Sequence, residues 1–160
     1  PDRVPGYPGA IKAILEADLI AAGPGSLFTS VLPNLLVPGI ASALKASQAV
    51  KVYVSNIATE EGETDHFTLD DHLQALEEHV GQGLFTYVLA NNSVKLESPP
   101  HMKVEVVEPH TELGERYQLV SEDLVDLENP WQHAPQKLAE ALMSLYWTVK
   151  ARTVEEAGAN

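Results

Sequence analysis

The chain has 160 residues, 44% hydrophobic and 21% charged, which suits one domain with a core of its own. Ten Lys and Arg against 23 Asp and Glu give a formal net charge of -13, which argues against nucleic acid and anionic membranes as partners. The lack of cysteine excludes disulfide scaffolds, thiolate zinc sites and cysteine nucleophiles; no apolar run approaches the ~20 residues that span a bilayer, and the cytoplasm is the expected compartment.

Residues 1–7 read as a loop. Pro8 suits a first helical turn, and Ile11, Ile14 and Leu15 fall on one face of the helix it opens. Leu19-Ile20-Ala21-Ala22 reads as a short buried strand. Gly23-Pro24-Gly25 then forces a turn, and Ser26 stands where it would cap a helix beginning near Leu27. Pro33 and Pro38 divide the next segment into two helical pieces, the second carrying Ile40, Ala43 and Leu44. Val50 to Val54 alternates, is rich in β-branched residues, and reads as a second strand.

A polar loop follows, Ser55 to Phe67. Thr68 is a good N-cap, with Asp71 three residues on as a partial capping box. Leu69, Leu73, Leu76 and Val80 recur at helical spacing until Gly81 and Gly83 stop the helix. Phe85 to Ala90 is a third strand candidate, ending at Asn91-Asn92. A variable excursion occupies residues 93–116, with Lys103 to Val107 strand-like inside it and Tyr117 to Val120 strand-like after it. Pro135 opens a final helix to residue 153 with Leu138, Leu142, Leu145 and Val149 inward, and the tail 155–160 reads as frayed.

Strands alternating with helices over 1–160 predict a single α/β domain, Rossmann-like, with a mostly parallel sheet flanked by helices. Three polar loops follow strands: Gly23–Ser30, Ser55–Asp65 and Asn91-Asn92. In a parallel sheet they converge on one edge, where such folds bind ligands.

Glycines at 23 and 25 let the backbone approach a phosphate, and the start of the following helix favours negative charge, with Ser26 and Thr29 as hydroxyl donors. No lysine completes a Walker loop and no dinucleotide fingerprint is present. A bare strand-to-helix turn capped by serine is the equal alternative. In the second loop, Asn56 and Thr59 suit a sugar or base edge, and Glu63 and Asp65 are the candidate acid/base groups. A solvated loop turned by Gly62 is the blander alternative. Asp70, Asp71 and His72 resemble metal ligands, yet acidic residues at a helix start simply complement its dipole. His72 and His79 lie too far apart along the axis to share an ion, so no metal site is assigned. His66, His101 and His110 have no partner that the sequence identifies, and no nucleophile elbow supports a Ser-His-Asp triad.

The segments "ADLIAAGPGSLFTSVLPNLLVPGIASAL", "VYVSNIATEEGETDHFTLDDHLQAL" and "YVLANN", in that order, closely resemble the bacterial YvcK-like family, often called gluconeogenesis factors. That family lies in the wider superfamily of 2-phospho-L-lactate transferase. The resemblance covers residues 8–92 well and the final helix, "HAPQKLAEALMSL", more loosely. It implies a Rossmann-like fold with a cleft at the strand ends. It also implies a UDP-sugar ligand, notably UDP-N-acetylglucosamine, and roles in carbon flux, cell-wall synthesis and cell shape. Carried over by position, it makes Gly23, Pro24, Gly25, Ser26, Leu27, Thr29, Ser30 and Asn34 the phosphate-side loop. Asn56, Thr59, Gly62, Glu63 and Thr64 become the second loop, His72 the histidine of the next helix, and Asn91 the asparagine after the third strand.

Two departures accompany it. The family opens with a glycine-rich strand-turn of the kind "GGGTG", which this chain lacks; the chain therefore reads as the carboxyl-terminal portion of the family domain. It is expected to sit within a longer chain, or to pair as a homodimer, so that its strand edge is covered. Before the last helix, the family's Arg-His-Asp is replaced by Gln132-His133-Ala134, which weakens a ligand role there.

The leading expectation is a nucleotide-sugar-binding regulator without turnover, with magnesium entering, if at all, beside a bound nucleotide. One alternative is a transferase of the phospholactyl type using a guanine nucleotide-linked donor, with Glu63 or Asp65 as base. The other is a ligand-free protein-interaction domain.

Overall fold

A computed structural model describes residues 4–92, 103–110 and 116–158. Helix α1 (Pro8–Glu16) leads into strand β1 (Leu19–Ala22). A π-helical turn over Leu27–Val31 passes into the short helix α2 (Leu32–Leu35), and α3 (Pro38–Ala46) follows. Then come β2 (Val50–Val54), α4 (Leu69–Val80), β3 (Tyr87–Asn91), β4 (Gln118–Glu122) and α5 (Pro135–Gly158). The four strands form one sheet in the order β1-β2-β3-β4, all parallel, as the alternation of strand and helix predicts.

Both faces of this sheet are covered, which is why β1 to β3 are mostly apolar rather than alternating, while the edge strand β4 carries exposed Gln118, Ser121 and Glu122. Tyr53, Val88, Ala90 and Ile20 point to a core built with Leu32 and Leu35 of α2, Leu44 of α3, and Leu69, Leu73 and Leu76 of α4. Val50, Val52, Val54 and Leu89 point the other way, against Leu138, Leu142, Leu145 and Val149 of α5. Successive strands step in one direction, so right-handed crossovers place α2, α3 and α4 on the same face. No single helix among the described residues is long and apolar enough to cross a membrane.

Several boundaries differ from the sequence reading. The third strand begins at Tyr87, not Phe85, and includes Asn91. Lys103 to Val107 is not a strand: Val106 makes only an isolated antiparallel bridge to Ala58. The fourth strand runs Gln118–Glu122, later than expected. Helix α5 continues to Gly158 instead of fraying from 155. The parts of the 93–116 excursion at 93–102 and 111–115, His101 among them, lie outside the described residues.

Candidate functional site

The first loop is built by Gly23, which leaves β1 at φ +91°. A Cβ there would lie 2.5 Å from the Val54 carbonyl oxygen, so only glycine lets the turn pass so close to β2. Ser26 precedes the π-helical turn but does not cap it with its side chain, against the sequence expectation. Its hydroxyl instead donates to Glu60 Oε2 at 2.5 Å. The wide turn forms because the Ser26 carbonyl accepts from both Ser30 and Val31, each at 2.9 Å, while Pro33 has no N–H to draw it back into the α pattern.

The second loop is tied to the first and to itself. Asn56 Oδ1 accepts the Gly25 N–H at 3.0 Å, which removes one amide from the expected phosphate cradle. Thr64 is buried, and its Oγ1 accepts the Glu60 N–H at 2.9 Å. Asp65 Oδ2 accepts the Gly62 N–H at 2.9 Å, and Gly62 takes φ +81° in this exposed turn. The excursion closes over the loop: the Thr59 N–H donates to the Glu105 carbonyl at 2.8 Å, and Thr59 Oγ1 accepts the Glu105 N–H at 2.9 Å.

Together these loops wall a cleft of about 620 Å³ at the carboxyl ends of β1 and β2. Pro24 and Gly25 form one side, Asn56 to Glu61 the floor, and Lys103, Val104 and Trp131 to His133 the far wall. The volume is that of a site for a nucleotide-sized molecule. Among the lining residues Lys103 is the only Lys or Arg, and it lies 3.7 Å from Glu61.

Two titratable groups near the loops carry a buried atom without a partner. Glu63 Oε2 has none. Its carboxyl is held above the ordinary carboxylate range, first by desolvation and then by the neighbouring Glu60, while the Thr29 hydroxyl and Phe28 amide oppose the rise. His72 is fully buried in α4; its Nδ1 lies 2.8 Å from the Thr68 carbonyl, and its Nε2 has no partner. Desolvation lowers its pKa, against the Thr68 carbonyl and the charges of Asp71 and Glu60. In the far wall, His133 Nε2 is likewise buried without a partner, and desolvation lowers its pKa against the Ser55 carbonyl.

The structure thus brings Pro24, Gly25, Asn56 and Thr59 to the cleft and seats Ser26 beside Glu60. It does not bring all the sequence-predicted residues there. Leu27 is 0% exposed in the core, and Asn34 bonds the Ser30 carbonyl at 2.7 Å on an exposed stretch. Asn91 is no loop residue: it ends β3, buried, and its Oδ1 accepts the Leu124 N–H at 3.1 Å. Ser30, Gly62, Glu63, Thr64, Asp65 and His72 shape or underlie the loops without lining the cleft. Lys103, Val104, Trp131, Gln132 and His133 line it without having stood out as site residues in the sequence. The sequence reading gives Gln132-His133-Ala134 a weakened ligand role, yet the structure seats Gln132 and His133 in the cleft wall.

An all-parallel α/β domain with a loop-built cleft at its strand ends is the class of protein these features define. A sequence model described as 2-phospho-L-lactate transferase CofD matches residues 1–125, and the chain belongs to that family. Within it, the chain is similar to proteins called gluconeogenesis factor. It is 41% identical to that of Listeria innocua over 149 residues, covering 91% of this chain and 46% of the relative. Identity to the Bacillus subtilis protein is 48% over 92 residues, 58% of this chain and 29% of the relative. A crystal structure of a UPF0052-family protein from Bacillus halodurans superposes with a TM-score of 0.80 at 39% identity, covering 89% of this chain and 48% of that one. The chain therefore spans about half the length of the curated relatives it matches.

Proposed function

We propose that the cleft binds a nucleotide sugar of the UDP-N-acetylglucosamine type, and that occupancy regulates carbon metabolism and cell-wall synthesis rather than starting a reaction. The observation that carries this reading is the cleft itself: about 620 Å³, bounded by the glycine turn on one side and Lys103 on the other. A diphosphate lies between the glycine turn, beside the partly exposed Ser26, and the Lys103 ammonium, which supplies the cation. Asn56, Thr59 and Glu61 then meet hydroxyls of the ribose or sugar, and Trp131 offers a ring face toward the base. The relatives' name, gluconeogenesis factor, supports the link to carbon metabolism.

Magnesium fits this arrangement only as a companion of the ligand. Among the described residues no group of three His, Asp or Glu side chains is placed to hold a metal ion. Glu60 is a single carboxylate at the phosphate turn, and magnesium commonly binds through one or two carboxylates plus ligand phosphates. It would neutralise phosphate charge there and relieve repulsion by Glu60.

One observation favours a second reading, a transferase of the kind the family description states. Glu63, with its raised pKa and unpaired Oε2, has the character of a general acid or base. Asp65 does not, since it closes the Gly62 turn.

Calorimetric titration of the protein at its full natural length, with UDP-N-acetylglucosamine and with GDP, each with and without magnesium, tests both. Binding of the UDP-sugar with no product released is expected. A preference for GDP with turnover of a GDP-linked donor would replace the first reading by the second, and no binding of either would remove both.

A further inference from the structure

Glu60 lines the cleft beside Pro24 and Gly25, and its carboxylate meets the glycine turn directly: the Ser26 hydroxyl donates to Glu60 Oε2 at 2.5 Å. The backbone fixes the residue in that place. Its N–H donates to Thr64 Oγ1 at 2.9 Å, and its carbonyl accepts from Glu63 at 3.1 Å and from Thr64 at 2.9 Å. Lys103, the cation of the cleft, lies 3.7 Å from Glu61, and no Lys or Arg among the described residues is paired with Glu60. The neighbouring Glu63 already feels this charge. Burial first, and then the hydrogen bond and charge of Glu60, hold the Glu63 carboxyl above its ordinary range. The Gly25 N–H is taken as well, by Asn56 Oδ1 at 3.0 Å. On this side an arriving phosphate therefore meets a fixed negative charge.

Such a charge does not repel all phosphates equally. A diphosphate esterified at both ends, as in a nucleotide sugar, carries about two negative charges, whereas one with a free end carries about three at pH 8, because a terminal phosphate loses its second proton near pH 6. We infer that Glu60 is a specificity-determining residue, favouring a diphosphate capped at both ends over one with a free terminal phosphate. This rests on the nucleotide-sugar reading of the cleft and says which chemical feature of that ligand is read. In a cleft open to solvent, one extra charge about 4 Å from a carboxylate weakens binding by roughly tenfold, near the bulk-water limit of the Coulomb term.

Calorimetry at pH 8 without magnesium, on the protein at its full natural length, tests it with UDP-N-acetylglucosamine and with UDP, each titrated into the native chain and into Glu60→Gln. Glutamine keeps an acceptor for the Ser26 hydroxyl and removes the charge, and a urea melt verifies that the variant is folded. Both ligands should bind the variant more tightly, and UDP should gain about tenfold more than the UDP-sugar. A merely structural role would weaken both ligands or move them together. Equal gains, no gain, or a loss for either ligand would overturn the inference and leave the nucleotide-sugar reading in place, since the UDP-sugar still binds the native chain. A native chain that binds neither nucleotide would remove that reading, and this inference with it.

Discussion

Lys103 is the residue on which charge balance in the cleft turns. It is the one Lys or Arg among the lining side chains, and it has Glu61 at 3.7 Å for company. An anionic ligand gains its only side-chain cation there, so Lys103→Ala should weaken UDP-sugar binding by about tenfold or more, the scale of a charge-assisted hydrogen bond. The side chain is 85% exposed, so stability should hold. Calorimetry beside a urea melt separates the two, and unchanged affinity would move the phosphates away from this wall. Nothing in the sequence singles out Lys103, because it lies in an excursion with no regular element to orient it. It reaches the cleft through backbone bonds between Thr59 and Glu105, pairing that no local pattern announces. Gly23 is legible by contrast. A glycine after a strand and before a helix has a physical reason to be there, and the Val54 carbonyl supplies it.

Elements with a strong local code form as their sequence predicts. In α4 the Thr68 side chain accepts the Asp71 N–H at 3.2 Å, and Asp71 Oδ2 accepts the Thr68 N–H at 2.7 Å. The capping box that looks partial in the sequence is therefore complete. The bonds from Thr68 hold the Asp71 carboxyl below its ordinary pKa. Thr68→Ala should cost about 1 kcal/mol of stability, read from the urea midpoint. No loss would mean that packing of Leu69, Leu73 and Leu76 alone sets the start of the helix. The first loop shows where such codes mislead. Ser26 has the right residue type and position for a cap, but Glu60, 34 residues on, takes its hydroxyl. A cap is chosen by competition among all nearby acceptors, and the sequence reveals only the local ones. Asn91 misleads for a similar reason: an asparagine at a strand end reads as a turn until a distant amide, that of Leu124, claims it.

At the scale of the whole molecule, two histidines, the buried His72 and the half-buried His133, make stability depend on pH. Desolvation depresses His72 and His133 below their ordinary pKa of 6.5. In the fold both stay neutral at a pH where the unfolded chain takes up protons. Their contribution is therefore fully present above about 6.5 and is lost as pH falls toward the depressed values. Asp71 and Asp123, held low by Thr68 and by Lys137, act in a separate and more acidic window, below about 3.8. The urea midpoint should thus decline from pH 7.5 to 5.5, and the slope should flatten in a His72→Gln/His133→Gln variant. An equal slope in both proteins would place the proton uptake on other groups.

The far wall of the cleft has a consequence for how such a protein diversifies. Residues 1–125 match the family model and contain the glycine turn, the second loop and every strand of the described sheet. Trp131 to His133 lie past that boundary, on the connection between Val125 and α5. Selection can therefore rewrite three consecutive residues, and with them the shape and charge of one side of the cleft. The sheet and the glycine turn are left as inherited.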